Sequence, residues 1–225
     1  MPQGPIPASI ARSFQKFFTP GLIGQQGDLW ESNRHGKYYN ATYGTPAITS
    51  PATAAKAGTN FRGSNSASQA LSSALTAAYT GLCLSNPAAS TVNLVVHKVS
   101  WAMVAAPSNF LGIGLITGWL AAGITAHTVS LNANIVNGYV GAATSGGSIL
   151  MAAPQANLDS QCTLVGTPAW DRWLTANAAT GGEISGTFDL DDDLIIPPGG
   201  YVAIGANAAG PAGFFGTWGW EELAP

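Results

Sequence analysis

Charged side chains are scarce along this chain, and their scarcity restricts its fold and function more than any other sequence feature. Asp, Glu, Lys and Arg make up 8% of the 225 residues, and hydrophobic residues make up 46%. An ordinary soluble domain has about 25% charged residues. Because a monomer depends on surface charge for its solubility, the composition indicates a protein that buries much of its exterior against other proteins or in a membrane.

The membrane alternative rests on residues 110–126, which carry no charge. This stretch is at the short limit for a spanning helix. It contains four glycines and has no Lys or Arg close to either end, whereas spanning helices normally have basic flanks. Two buried strands meeting at a glycine bend account for it better. Residues 1–12 lack the pattern of a secretory signal, so we predict neither a membrane partner nor secretion.

The few charges are unevenly distributed. The first 62 residues contain six basic and two acidic residues, whereas the remainder contains two basic and nine acidic residues. A mildly basic segment joined to an acidic body can reach an acidic neighbour, including the body of another copy. The basic residues form no dense run, so we do not predict direct binding of nucleic acid.

Residues 1–78 lack the pattern of a packed core, and we predict that they form an extended, mostly irregular N-terminal arm. Residues 44–76 are largely Ala, Ser, Thr and Gly, a composition that buries too little to order itself. Apolar spacing over residues 8–18 favours one short amphipathic helix. Ordering an arm costs entropy, so we expect aromatic anchors that contact neighbouring molecules. The predicted assembly contacts are Phe14, Phe17, Phe18, Trp30, Tyr38 and Tyr39.

From Tyr79 to the end, at residue 225, short β-type runs alternate with turn signals such as Asn86-Pro87 and the Pro-Pro-Gly-Gly sequence of residues 197–200. The run over residues 92–104 alternates well enough to predict a half-buried strand with Leu94, Val96 and Lys98 on one face. No alternation of strands with helices is visible. The pattern predicts an all-β body with a sandwich or barrel architecture.

Histidines and aspartates are the first candidates for a metal site. His35, His97 and His127 lie far apart without metal-ligand spacing, and we interpret each as a strand or turn residue. The acidic run from Asp189 to Asp193 leaves three alternatives open: a calcium site, a contact for a basic arm, and an acidic turn that keeps a sheet edge soluble. We favour the last and predict no metal ligand.

Catalytic residues are not predicted. Asp171, between Trp170 and Trp173, is the best candidate for glycosidase chemistry, because that chemistry uses carboxylates and aromatic rings stack on sugars. An aromatic corner with a surface pair of Asp171 and Arg172 is the favoured interpretation. Glu221 and Glu222 are better placed on a terminal strand, and nucleophile and phosphate-binding motifs are absent from the sequence. We therefore predict a protein that is not an enzyme and has no cofactor.

Cysteines and tryptophans complete the set of candidate residues. Cys83 and Cys162 lie in apolar segments, where a buried thiol acts as a small hydrophobic group. A disulfide between them remains an alternative, and two cysteines in a chain without a secretory signal suggest synthesis in a reducing compartment. We assign the seven tryptophans to the core and to protein interfaces.

Several segments, taken in order, resemble a group of virion proteins of tailed bacteriophages. They are HGKYYNATYGT (residues 35–45), TGLCLSNP (80–87), VNLVVHKVS (92–100), LIIPPGGYVAIGAN (194–207) and WGWEEL (218–223). The resemblance implies a jelly-roll-like β-sandwich that forms a homotrimer on the capsid or in the tail. It implies no catalytic residues.

Composition, arm and resemblance together predict a virion structural protein synthesised in the cytoplasm of a bacterial host. The first interpretation is a capsid decoration (cement) protein, whose partners are copies of itself and the major capsid protein or other virion proteins. A tail or receptor-binding component, with exposed tryptophans that meet host glycans, is the main alternative. A carbohydrate-binding module or glycan hydrolase is the third.

Overall fold

The computed structural model divides the chain into two compact units, residues 1–50 and 51–225. The structure describes residues 21–23, 29–32, 38–40, 58–72, 75, 78–105, 111–143, 149–150, 152–177, 185–208 and 213–224. Among these residues, no helix is both long enough and apolar enough to cross a membrane.

The first unit contains a small antiparallel sheet. Its strands β1 (Gly21–Ile23), β2 (Leu29–Ser32) and β3 (Tyr38–Asn40) are hydrogen-bonded in that order. Leu22 lies opposite Trp30, and Glu31 lies opposite Tyr39. Three short strands thus lie within the arm that was predicted to be mostly irregular, and the predicted helix over 8–18 lies outside the described residues.

The second unit is a sandwich of two antiparallel sheets, which confirms the all-β prediction. One sheet has the strand order β13-β7-β15-β5-β12-β8, and the other has the order β14-β6-β16-β4-β9. The strands are β4 (Asn60–Ser64), β5 (Ala78–Ser85), β6 (Asn93–Met103), β7 (Leu111–Trp119), β8 (His127–Ser130), β9 (Ile135–Asn137), β12 (Asn157–Thr163), β13 (Ala169–Asn177), β14 (Ser185–Ile196), β15 (Gly200–Ala206) and β16 (Phe214–Leu223). A parallel pair, β10 (Ala142–Ala143) and β11 (Ile149–Leu150), and a 3-10 turn η1 (Asn132–Asn134) complete the unit.

The core lies between the inward faces of the two sheets. Leu115 of β7 and Ile204 of β15 in the six-stranded sheet belong to the same core cluster as Trp101 of β6 and Trp218 and Trp220 of β16 in the five-stranded sheet. A buried aromatic side chain removes about 150–250 Å² from water, so these three tryptophans supply a large share of the apolar burial. They confirm the core part of the tryptophan prediction. The segment 111–119 forms the single strand β7, rather than two strands meeting at a bend.

The predicted alternation along β6 is wrong after Val96. On the neighbouring strand β16, Gly219 lies opposite Lys98 while Trp220 lies opposite Val96, so His97 is an extra residue in the ladder. Such a bulge shifts the alternation of side chains by one residue, so that every side chain beyond it points to the opposite face of the sheet. Val99 consequently joins Val96 in the core, although alternation assigns the two residues to opposite faces.

The sandwich begins before the predicted boundary at Tyr79. Strand β4 is hydrogen-bonded between β16 and β9, and Phe61 is buried with its ring centroid 6.0 Å from that of Trp220. The side chain of Asn65 donates to the carbonyl of Phe214 and accepts from the amide of Gly216. One large apolar side chain and one buried amide therefore order a stretch whose average composition suggested an arm.

A tyrosine hydroxyl replaces part of the ladder between β5 and β15. The strand pairing runs as far as Ala203 opposite Cys83 and then stops. Beyond that point the Tyr79 hydroxyl accepts from the amide of Leu82 (2.7 Å) and donates to the carbonyl of Ile204 (2.8 Å). Residue 81 must be glycine here, because its φ is +135° and a Cβ atom would lie 2.5 Å from the tyrosine oxygen.

Asn86 connects the two sheets at the end of β5. Its backbone amide donates to Gly200 of β15 in the same sheet, while its side-chain Nδ2 donates to the carbonyls of Val92 and Ile196 at the ends of strands β6 and β14. The next turn closes where the amide of Gly200 donates to the carbonyl of Pro197 (2.9 Å). Both predicted turn sequences therefore lie at one end of the sandwich.

We predict that Asn86→Ala lowers the free energy of unfolding by about 2–4 kcal/mol, because the loss of the donor costs about 1–3 kcal/mol at the buried carbonyl of Ile196 and about 1 kcal/mol at the part-buried carbonyl of Val92. Asn157→Ala is the control. It removes a hydrogen bond to Asn132 that is exposed and that water replaces, so its cost should stay below about 1 kcal/mol. Urea denaturation of both variants measures the difference, and equal losses would contradict the role assigned to Asn86.

Candidate assembly surface

The sandwich has two lateral sides, each formed by one edge strand from each sheet. On the first side, Arg172 of β13 bonds to Asp193 of β14, with 3.0 Å between Nη1 and Oδ2. On the second side, η1 joins β8 to β9 and so crosses from one sheet to the other. We call residues 169–177 and 185–196 the charged side, and residues 127–140 the uncharged side.

The charged side carries six of the chain's ionic residues, namely Asp171, Arg172, Asp189, Asp191, Asp192 and Asp193. Arg172 hydrogen-bonds to Asp171 and to Asp193, and these bonds, the one to Asp171 foremost, raise the pKa of the guanidinium. The predicted surface pair of Asp171 and Arg172 is thereby confirmed. Charged groups on edge strands discourage pairing with another sheet. The acidic run lies within the edge strand β14 and not in a turn, so the predicted turn is wrong, whereas its predicted position at a sheet edge is confirmed.

The calcium alternative for the acidic run is tested in part, because the side chains of Asp191 and Asp192 lie outside the described part of the structure. Across the residues that the structure describes, no three His, Cys, Asp or Glu side chains lie close enough together to hold an ion.

The uncharged side contains no Asp, Glu, Lys or Arg, and it lies within a longer stretch, residues 99–158, that also has none. Its edge strands expose large apolar side chains: Val129 is 38% exposed and Val136 is 57% exposed, followed by Val140 at 92%. The two strands contain no proline. An uncharged apolar edge is the type of edge that associates with another chain.

Asparagine side chains hold the uncharged side in place. Oδ1 of Asn132 accepts from the amide of Leu158 in the six-stranded sheet (2.8 Å), and Nδ2 of Asn134 donates to the carbonyl of Ser64 in the five-stranded sheet (3.1 Å). The turn η1 is therefore fixed to both sheets, and the exposed valines on either side of it are presented by an ordered backbone. Fixing a contact surface in advance lowers the entropy cost of association.

A histidine–aspartate pair lies at the start of the uncharged side. Nδ1 of His127 is 2.8 Å from Oδ2 of Asp159, which is fully buried, whereas a quarter of the His127 side chain is exposed. Burial raises the pKa of Asp159, and the hydrogen bond from His127 acts against that rise. The pair fixes the orientation of the imidazole ring. His127 lies on a strand as predicted, but its partner is 32 residues away and had no sequence signal.

Cys83 and Cys162 are buried free thiols, as the favoured interpretation predicted. They lie on the neighbouring strands β5 and β12 and belong to one core cluster. Burial foremost, with smaller contributions from Cys162 and Asp159, raises the pKa of Cys83 well above its ordinary value. A thiol that stays protonated is a poor nucleophile, so Cys83 serves packing.

The terminal glutamates have structural roles on β16, which confirms their assignment to a terminal strand. The carboxylate of Glu222 accepts hydrogen bonds from the amides of Gln155 (2.9 Å) and Ala156 (3.1 Å). Glu221 accepts from the hydroxyl of Thr59 and lies 3.8 Å from Nε2 of His97. These contacts attach the segments before β12 and β4 to the last strand.

The sequence-predicted anchors and the uncharged side are different parts of the chain. Trp30 lies on β2, and Tyr38 and Tyr39 lie on β3, where the structure describes the backbone alone. Phe14, Phe17, Phe18 and His35 lie outside the described residues. Their role as contacts stays a prediction. The uncharged side was missed, although the absence of charge between Lys98 and Asp159 was a signal available in the sequence.

Comparison with protein-family models, with curated proteins and with solved structures finds no match for this chain.

We predict that Asp159→Asn flattens the pH dependence of stability. Because burial raises the pKa of Asp159, the folded protein binds this proton more tightly than the unfolded chain does. Stability from this group is therefore full in acid and falls as the pH rises through the folded-state pKa. The variant should lack that fall, as measured by urea denaturation from about pH 4 to 8.

His127→Gln is the companion variant, because it removes the hydrogen bond that opposes the rise in the pKa of Asp159. It should move the fall in stability to higher pH. A parental pH profile in Asp159→Asn would contradict the assignment of this titration to Asp159.

Proposed function

We propose that this protein is a structural subunit that acts by association with copies of itself, as a decoration (cement) protein of a tailed-bacteriophage capsid. The observation that carries the proposal is the difference between the two lateral sides of the sandwich. The strands of the charged side contain six ionic residues, whereas residues 127–140 of the uncharged side expose valines and include no Asp, Glu, Lys or Arg.

The edge strands of the charged side contain ionic residues and those of the uncharged side contain none of Asp, Glu, Lys and Arg, and this difference supports self-association. A monomeric β-protein has reason to blunt both sides of its sandwich, since an unprotected edge recruits other chains. Here the edge strands β8 and β9 pair with β12 and β4 and form the last strands of their sheets. A specific interface buries about 800 Å² per partner, and the exposed residues of the uncharged side form its apolar centre in our proposal.

A trimer is the proposed assembly. Around a threefold axis the uncharged side of one copy contacts a different surface of the next copy, and the ring closes without leaving that side exposed. The low charge content of the whole chain agrees with permanent burial of exterior surface. The jelly-roll-like arrangement and the trimer both follow the resemblance to virion proteins.

Decoration of a capsid accounts for the organisation into two units. A sandwich that buries area at subunit seams opposes the pressure of packaged DNA, while a separate N-terminal unit with an excess of basic residues contacts the major capsid protein or other virion proteins. In this proposal the aromatic anchors Trp30, Tyr38 and Tyr39 make the contacts with the major capsid protein or other virion proteins. The protein performs no chemical reaction.

We predict that Val136→Glu weakens self-association by about tenfold or more, because a carboxylate at the centre of an apolar interface loses its hydration, and the neighbouring Arg62 offsets only part of that cost. Ile195→Lys on the charged side is the matched control, since Val136 and Ile195 are both 57% exposed. Each new charge is opposite in sign to a neighbour on its own sheet, Arg62 for the first and Asp193 for the second.

Sedimentation equilibrium of the parent and both variants measures the effect. The control should associate like the parent. A parent chain that stays a single subunit at high concentration would refute the proposal, and equal weakening by both substitutions would refute the assignment to the uncharged side.

We further predict that deletion of residues 1–40 leaves a folded sandwich that no longer binds capsids. The deletion lies within the first unit and spares every strand of the second. Circular dichroism reports the fold, and the occupancy of capsids incubated with the truncated protein reports binding. Unchanged occupancy would contradict the role of the N-terminal unit.

A further inference from the structure

Asn137 and Gly138 form the only asparagine–glycine pair in the sequence. They lie on the uncharged side, where strand β9 ends, and both residues are half-buried. Asparagine is a thermolabile residue, because the backbone nitrogen of the following residue can attack the side-chain amide carbon. Glycine in the following position has no Cβ atom to hinder that attack. The pair is therefore a candidate site for deamidation.

The hydrogen bonds of the Asn137 side chain favour this attack. Oδ1 of Asn137 accepts from the amide of Tyr139 (2.7 Å), which makes an Asx turn. The ring closed by this bond contains both reacting atoms, Cγ of Asn137 and the nitrogen of Gly138, and so keeps them near each other. Oδ1 gains negative charge as the nitrogen attacks, and an N–H donor in this position stabilises that charge. The leaving nitrogen, Nδ2, is buried and has no acceptor among the described residues.

A single backbone hydrogen bond opposes the attack. The N–H of Gly138 donates to the carbonyl of Asn60 (2.8 Å), and this bond holds the proton that the nitrogen must lose. Strand β9 is three residues long, and among the described strands it pairs with β4 alone. A short edge strand opens locally at much lower cost than the whole domain unfolds. Opening of the bond between Gly138 and Asn60 therefore sets the rate of the reaction.

We propose that Asn137 deamidates spontaneously and that its deamidation inactivates the uncharged side, a regulation that rests on the function proposed above. The nitrogen of Gly138 loses its proton to hydroxide and forms a bond to Cγ of Asn137. The bond between Cγ and Nδ2 breaks, and ammonia leaves with a proton taken from water. The resulting cyclic imide adds one water molecule and opens to aspartate or isoaspartate. Water and the chain itself are the only reactants.

Both products disturb β9. Asn137 lies opposite Phe61 in the ladder, so its side chain is on the face of the sheet that carries this buried ring. Aspartate places an unpaired carboxylate where Nδ2 was buried, which is costly. Isoaspartate inserts a methylene group into the backbone before Gly138, so this amide and its partner carbonyl no longer match in register. Val136 then loses the ordered backbone that presents it.

Assembly protects the site in this proposal. A neighbouring copy that covers the uncharged side binds the closed form of β9 and not the open form, so association reduces the population of the open form. Subunits that stay free are thus the ones that deamidate, and the reaction removes them from the pool that can assemble.

The test is incubation of the full chain in mildly alkaline buffer, followed by peptide mass spectrometry, with the chain unfolded in urea as the reference. We expect aspartate and isoaspartate at residue 137 of the folded chain, formed about tenfold more slowly than in the unfolded chain. Asn134 is the internal control, because it lies in the same region but is followed by the β-branched Ile135. It should not convert in the folded chain.

Anion-exchange chromatography then separates the converted chains from the unconverted chains of one preparation. The converted fraction should unfold at a lower urea concentration and should self-associate about tenfold more weakly, because a buried unpaired charge is costly. Gly138→Ala is the matched variant, since a methyl group hinders the attack. If it matches the fresh parent in circular dichroism, it should keep its association through the same incubation.

Two results would overturn the proposal. One is the absence of product at residue 137 in the folded chain over about ten times the period that converts the unfolded chain. The other is a converted fraction that unfolds and associates like the unconverted fraction. A fresh parent that stays a single subunit contradicts the proposed function instead, and the urea comparison of the two fractions then still decides whether deamidation disturbs β9.

Discussion

An edge strand presents one row of its backbone N–H and C=O groups away from its sheet, and among the described strands the two sheets of this sandwich end in four such strands. On one lateral side, β13 and β14 place ionic residues at the edge and are joined by the pair of Arg172 and Asp193. On the other, β8 and β9 are joined by the chain itself through η1, whose asparagines bond to both sheets. The two sheets are therefore joined by an ion pair on one side and by a chain connection on the other. This difference gives one side ionic groups at its edge and leaves the other side apolar.

Bulges then decide which side chains reach each surface. The extra residue His97 in β6 turns Val99 and Trp101 into the core, and the extra residue Asp171 in β13 turns two tryptophans outward together. A one-residue insertion in a strand thus supplies both a large buried aromatic and an exposed aromatic pair. Because the chain has few charges, the positions of its tryptophans determine much of the difference in polarity between its interior and its surface.

The sequence predicted the features that depend on neighbouring residues. Turn chemistry located Asn86-Pro87 and the turn that ends at Gly200, and the last strand, β16, was placed correctly. Features that depend on residues far apart were not predictable. The pairing of His127 with Asp159 spans 32 residues, the bulges are set by partner strands, and the order of strands decides which edges are exposed. Phe61 and Asn65 show a third limit, because two anchor residues ordered a segment whose average composition argued against order.

The hydroxyl of Tyr79 has a consequence for which substitutions this fold tolerates. In most cores tyrosine and phenylalanine exchange at small cost, but here the phenol occupies the position of a missing rung between β5 and β15. Burial raises its pKa well above the ordinary value, so the proton donated to Ile204 is retained even in alkaline solution. Loss of that single oxygen would leave an amide and a carbonyl unsatisfied inside the sheet. Among homologous sequences this site should therefore retain tyrosine together with the glycine two residues later, as one inherited unit.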